Sequence, residues 1–208
     1  MDKLYASIFI IIILYILITT CKIEHFKNNN NNKYYLIANN PEIKVSDIMK
    51  FANNINNTLI FFNHIEPFKK FNSNDLKNLN NSDCKKLLFL RSNHLNSFWG
   101  KTEYDNQKIK IFNRNNTIII LSDNTKNLKN PYNLRIVDYK KYIKKYPGKK
   151  QPQTGFVCYH YINSITNKKN IFLYGFSRKQ GEHDGDWCHE KTYELDYYKK
   201  NNVNNIEL

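Results

Sequence analysis

One local pattern recurs along this chain: a short apolar run, rich in β-branched or aromatic residues, that stops abruptly on Asn, Arg or Gly. Tyr34–Ala38 ends at Asn39-Asn40-Pro41, Thr58–Phe62 at Asn63-His64, Leu87–Leu90 at Arg91-Ser92-Asn93, and Ile171–Tyr174 at Gly175-Phe176. Runs this short suit strands rather than helices. Ile109–Phe112 and Thr117–Leu121 read as further strands, the second fully buried. Val45–Ile55 is a helix candidate after the first Asn-Asn-Pro turn. Tyr139–Tyr146 reads as a basic, aromatic helix stopped by Pro147-Gly148, and Phe156–Ile165 as a helix despite its β-branched and aromatic content. Strands interleaved with helices point to an α/β sheet rather than a bundle or a sandwich. The polar strand ends then matter, because open α/β sheets keep their ligands at that edge.

The ends of the chain have a different character. Leu4–Thr20 is apolar almost throughout and is followed by no good small-x-small cleavage site, so it reads as an uncleaved membrane anchor. Residues 1–3 form a stub before it, 21–33 a polar, Asn-rich linker, 34–200 the globular domain, and 201–208 a polar tail expected to fray. Asn56, Asn80 and Asn115 each begin an N-x-Ser/Thr sequon, which would make the chain a glycoprotein in a lumenal compartment. Cys21, Cys84, Cys158 and Cys188 form no CxxC pair, which argues against a zinc site. Cys84 with Cys158 or Cys188 would suit a disulfide in an oxidising lumen, and buried free thiols are the competing expectation.

The formal charge is +14, from 32 Lys and Arg against 18 Asp and Glu. Lysine scattered among asparagine supplies most of it. No concentrated basic helix or nucleic-acid motif is present, so nucleic acid is not an expected partner. A Lys- and Asn-biased composition that simply gives a solvated basic surface explains the charge; the functional alternative is a field that attracts an anionic sugar nucleotide or lipid headgroups. Arginine occurs only at 91, 114, 135 and 178, and Arg91 stands directly at a strand end.

The densest chemistry lies between Gln151 and Glu194. Thr154-Gly155 precedes a helix, where free N–H groups and a hydroxyl suit a carboxylate or phosphate; an ordinary N-cap explains the Thr equally well. Gly175-Phe176 after the last strand allows either close approach of a ligand or a plain sharp turn. His183 and His189 follow beside Asp184, Asp186, Trp187 and Glu190; imidazoles suit proton abstraction from a hydroxyl and support of a departing phosphate. Glu194 would orient an imidazole or seat a substrate hydroxyl. Asp184-Gly185-Asp186 has the form of an Asp-x-Asp clamp for Mn or Mg and a diphosphate. Asn39, Asn40, Asn63 and Asn93 follow strands, where amides suit a nucleotide's ribose, base or phosphate.

These segments together resemble a diverged sialyltransferase of glycosyltransferase family 29. Leu36-Ile37-Ala38-Asn39-Asn40-Pro41 resembles the start of the family's long motif, with Asn39 where the family has Gly. Phe61-Phe62-Asn63 resembles its later part, without the basic residue. Pro152-Gln153-Thr154-Gly155-Phe156, continuing to Leu173-Tyr174-Gly175-Phe176, resembles the short motif, and His189 with Glu194 fits the very short His-x-x-x-x-Glu motif. His183 corresponds to the third motif's histidine at a closer spacing than the family's. The resemblance spans Tyr34 to Glu194.

It implies a Rossmann-like single domain of the GT-A variant kind, metal-independent, with a type II membrane arrangement facing the Golgi or endoplasmic reticulum lumen. It further implies inverting transfer of sialic acid from CMP-sialic acid to a glycan hydroxyl, without a cofactor. His189 would be the base and His183 the phosphate's partner, with Glu194 beside them. Asn39, Asn40, Asn63, Arg91, Thr154, Gly155, Tyr174 and Gly175 would surround the donor. Two alternatives stand beside it: a glycosyltransferase using another nucleotide sugar, with Mn or Mg at Asp184 and Asp186, and an inactive membrane-tethered glycan-binding protein.

Overall fold

The computed structural model describes residues 31–63, 65–92, 111–112, 117–123, 134–147, 150–176, 190–206 and 208. The anchor over 4–20, Cys21, Cys188, Asn93, Asn115, and the whole segment holding His183, Asp184, Asp186 and His189 lie outside the described residues. Among the described residues no helix is long and apolar enough to cross a membrane.

The elements run β1 (Lys33–Ile37), α1 (Val45–Ala52), β2 (Asn57–Phe62), a 3₁₀ turn (Glu66–Lys70), α2 (Ser73–Asn81), β3 (Lys85–Arg91), β4 (Ile118–Ser122) and β5 (Arg135–Asp138). A second 3₁₀ turn (Tyr139–Lys141), α3 (Thr154–Asn163), a third (Lys168–Asn170), β6 (Ile171–Tyr174), α4 (Lys191–Lys200) and β7 (Asn204–Ile206) follow. The strands form one seven-stranded sheet in the order β5-β4-β3-β2-β1-β6-β7. Every pairing is parallel. This is a Rossmann-like α/β fold.

A parallel sheet must be covered on both faces, so its inner strands are apolar without alternation. The sequence Thr58-Leu59-Ile60-Phe61-Phe62 obeys this, and all of β2 is buried. One face, with Tyr35, Ile37, Leu59, Phe61, Leu88, Leu90, Ile118 and Ile120, joins a core with α1, the first 3₁₀ turn and α2. The other face meets α3, where the Phe89 and Tyr161 rings lie 5.7 Å apart. Parallel connections cross right-handed. Stepping from β1 to β2 and β3 therefore puts α1 and α2 on one side, and the return to β6 beyond β1 puts α3 on the other. The order reverses between β1 and β6, which makes their carboxyl ends the topological switch point.

The helices follow from local sequence to different degrees. In α1, Ile48 and Ala52 are buried, with Val45 and Met49 packed beside them, a stripe at helical spacing. It ends at Ala52 rather than Ile55, because Asn53–Asn56 form a turn in which Asn54 accepts the Asn56 and Asn57 amides; Ile55 is left 70% exposed. Helix α2 starts on a reciprocal cap: Asp75 N–H donates to Asn72 Oδ1 at 2.9 Å and Asn72 N–H to Asp75 Oδ2 at 3.1 Å. Buried Lys86 finishes it by donating to the carbonyls of Leu79 and Ser82. Helix α3 is buried nearly all round, because α4 covers the side the sheet does not: Phe156 meets Tyr197 at 5.3 Å and Tyr198 at 5.6 Å.

Two expectations are corrected. Ile111 and Phe112 are helical, not extended, and pack into the α1/α2 core. Tyr139–Tyr146 is no helix beyond the turn at Tyr139–Lys141; its aromatic side chains are drawn inward, Tyr142 onto Tyr161 and Tyr146 onto Phe156. Within the polar tail, Asn204–Ile206 pairs with β6 as an edge strand and Asn204 Nδ2 donates to the Ile171 carbonyl at 3.0 Å. The compact unit runs from Asn31 to Leu208. Of the two expectations for the cysteines, the free-thiol one is met by the described pair: Cys84 and Cys158 are free and buried, so no disulfide joins them. Cys84 belongs to the α1/α2 core and Cys158 to α3 on the opposite face, and burial pushes both thiols above their ordinary range.

Candidate functional site at the carboxyl edge of the sheet

The carboxyl ends of β1, β2, β3 and β6 carry the residues singled out from sequence, and hydrogen bonds link them. Asn39 Nδ2 donates to the Phe62 carbonyl at 3.0 Å, tying the end of β1 to β2. Asn40 Nδ2 donates to the Gly175 carbonyl at 3.1 Å, while its Oδ1 accepts the Glu42 amide at 2.9 Å in an Asx turn. Asn63 does more. Its Oδ1 accepts the Arg91 amide at 3.1 Å, and its Nδ2 donates to Thr154 Oγ1 at 3.0 Å. One side chain thus joins β2, β3 and the start of α3.

Backbone conformation makes Asn63 fit for this. Its φ is 44°, in the left-handed region that Asn tolerates better than most residues. Ile65, two residues on, is also left-handed at φ 52°, a costly state for a β-branched residue, and its buried side chain in the α1/α2 core holds it there. At the β6 end, Gly175 has φ 76°, and a Cβ there would come within 2.7 Å of Ile43 Cδ1. Gly155 has no such twist, but a Cβ would meet the Phe176 ring at 2.6 Å. Gly175 is therefore required by its backbone conformation, whereas a side chain at Gly155 would oblige the Phe176 ring to shift. The Tyr174 side chain is engaged with α1: its hydroxyl donates to Asp47 Oδ2 at 2.7 Å. Burial, then the adjacent carboxylate, raises the Tyr174 hydroxyl to about 12, and its donation keeps the Asp47 carboxyl below the usual range.

The amino end of α3 differs from the sequence reading. Gln153, not Thr154, is the N-cap residue, and no side chain of its own closes the helix. Glu194 of α4 takes that place. Only 2% exposed, it accepts the Gln153 amide at 2.7 Å and the Tyr146 hydroxyl at 2.6 Å through Oε1. Tyr146 also accepts the Glu190 amide at 3.0 Å, and burial together with Glu194 drives its hydroxyl well above the ordinary range. A carboxylate at a helix's positive end is favourable. Glu194 thereby acts as a positioning residue that fixes α4 against the start of α3. Tyr146 and Gln151 were not visible as site residues in the sequence, since no local pattern marks them, and Gln153 stood there only within the short-motif segment.

Arg91 sits where β3 ends. Its guanidinium carbon lies 4.3 Å from the centroid of the Tyr139 ring. Nη2 donates to the Tyr139 hydroxyl at 3.2 Å and to Gln151 Oε1 at 3.1 Å. Nη1 is buried and has no hydrogen-bond partner among the described residues.

Asn39, Asn40, Asn63, Arg91, Thr154, Gly155, Tyr174, Gly175 and Glu194 are thus brought to one edge, while His183, His189, Asp184, Asp186 and Asn93 lie outside the described residues. Among the described residues no group of three or more His, Cys, Asp or Glu is arranged to hold a metal ion. No protein-family model, curated protein or solved structure matches this chain.

Proposed function

We propose that this protein is a sialyltransferase-like glycosyltransferase of the GT-A variant kind, moving sialic acid from CMP-sialic acid to a glycan hydroxyl with inversion. The observation that carries this reading is the Asn63–Thr154 hydrogen bond, 3.0 Å across 91 residues of chain, which brings the long-motif and short-motif segments together at the sheet's carboxyl edge. Asn40 joined to the Gly175 carbonyl, and Glu194 to the Gln153 amide, support it in the same way. In the reaction the acceptor oxygen bonds to the anomeric carbon and gives its proton to His189. The bond from that carbon to the phosphate oxygen breaks, and CMP leaves with the electron pair, assisted by His183. The amides of Asn39, Asn40 and Asn63 act indirectly, by holding the strand ends in shape around the donor.

The test is transfer from CMP-sialic acid labelled in the sugar to a panel of galactose-terminated glycans. Transfer that survives EDTA and vanishes in His189→Ala, with CMP binding retained, is the expected result. Activity only with a nucleoside diphosphate sugar and added manganese would replace this reading by the metal-clamp alternative at Asp184 and Asp186. Glycan binding without turnover or nucleotide affinity would replace it by the tethered binding protein.

A further inference from the structure

We infer that Arg91 is an oxyanion seat whose two terminal nitrogens take a phosphate in place of the Gln151 amide. The inference rests on the glycosyltransferase reading for the identity of the phosphate, which would be that of the nucleotide, but the seat itself is argued from the structure. A charged donor buried without an acceptor is costly, and native structures rarely leave one without a functional reason. Nη1 is such a donor. The other terminal nitrogen holds two neutral acceptors: the Tyr139 hydroxyl, against whose ring the cation lies, and Gln151 Oε1, in an exposed contact. The cation–π contact with the Tyr139 ring, 4.3 Å from guanidinium carbon to centroid, restrains the guanidinium.

An oxyanion bridging Nη1 and Nη2 would satisfy the unmatched nitrogen and exchange a neutral bond to Gln151 for a charge-assisted one. Planar forks bind phosphate and carboxylate in this two-point manner. The surroundings agree. Arg91 ends a central parallel strand, and its own amide is clamped by Asn63, which also holds Thr154 at the start of α3. The scaffold therefore presents the fork at the edge where α/β sheets bind ligands.

The experiment is calorimetric titration of the purified full-length protein with CMP, cytidine, free sialic acid and inorganic phosphate. It is repeated for Arg91→Gln, Arg91→Lys and Gln151→Ala, with a melting curve for each. Wild type is expected to bind CMP roughly ten- to hundredfold more tightly than cytidine. Arg91→Gln should erase that ratio, and Arg91→Lys should keep only part of it. Gln151→Ala, which removes the displaced acceptor, should bind CMP as well as wild type or better. A CMP-to-cytidine ratio unchanged in Arg91→Gln overturns the seat and leaves the proposed function standing. Phosphate binding that depends on Arg91 without any CMP preference keeps the seat and removes the cytidine donor. Tight binding of free sialic acid that depends on Arg91 would assign the fork to the sugar carboxylate instead of the phosphate. If Arg91→Gln does not fold, weakened CMP binding by Gln151→Ala at an unchanged melting temperature overturns the exchange.

Discussion

Replacing Glu194 separates a scaffold role from a substrate role. In Glu194→Ala the Tyr146 hydroxyl and the Gln153 amide both lose their acceptor, at 2.6 and 2.7 Å respectively, a carboxylate that is itself 2% exposed. Hydrogen bonds to a charged group contribute about 1.5–3 kcal/mol each, and these half-buried donors can turn to water only in part. The sum, after partial relaxation, is about 3–5 kcal/mol of folding stability. Glu194→Gln keeps the shape and one acceptor oxygen and loses the charge at the α3 terminus, for about 1–2 kcal/mol. Urea titrations followed by far-UV circular dichroism give both values, with the denaturant slope checked for constancy. Tyr146→Phe should cost about 1–2 kcal/mol alone. In the double variant with Glu194→Ala it should cost clearly less, because the two share one bond. A Glu194→Ala protein within about 0.5 kcal/mol of wild type that has lost transfer activity would refute the scaffold role and make Glu194 a residue that touches substrate.

Three further outcomes follow from the same geometry. His160 lies against Phe156 at 4.6 Å and Tyr197 at 4.9 Å, and burial lowers its pKa to about 4 from 6.5. The unfolded chain takes up this proton first, so stability is complete above pH 6.5 and falls between there and about pH 4. Because the ring edge reaches solvent, the loss from pH 7 to 5 should be about 1–2 kcal/mol, and urea midpoints for His160→Gln should show a flatter pH slope. Gly175→Ala meets both a φ of 76° and the Ile43 side chain at 2.7 Å, and should lower stability by about 2–4 kcal/mol; a melting temperature equal to wild type would contradict that packing. Asn63→Ala frees the Arg91 amide and Thr154 Oγ1 together. It should cost about 1–3 kcal/mol and weaken CMP binding, whereas Thr154→Val, which keeps the Asn63–Arg91 bond, should have the smaller effect on stability.

Much of the sheet was legible because each inner strand of a parallel sheet is wet on neither face. Leu87–Leu90, Thr117–Leu121 and Ile171–Tyr174 betray this as unbroken apolar runs. The missed elements fail that test for identifiable reasons. Strands β5 and β7 lie at the sheet's edges, where Arg135–Asp138 and Asn204–Ile206 are polar and marked as strands only by their neighbours. Helix α2 carries just Leu76 and Leu79 toward the core amid Asn and Lys, and its one local sign was the Asn72/Asp75 cap. Helix α4 hides its periodicity among tyrosines that pack on α3 rather than on the sheet.

The same division holds for the candidate site. Which residues end the strands is a property of the chain alone, since a buried run must stop somewhere polar. Asn39, Asn63, Arg91 and Gly175 could be named for that reason before any fold was known. What each does was decided by residues distant in sequence. Asn63 is a clamp because α3 returns to meet it, Glu194 caps a helix because α4 docks there, and Arg91 keeps an unmatched nitrogen because Tyr139 and Gln151 engage only the other. Hydrogen-bond partnership across a sheet edge depends on distances that topology sets, and no local pattern of residues encodes them.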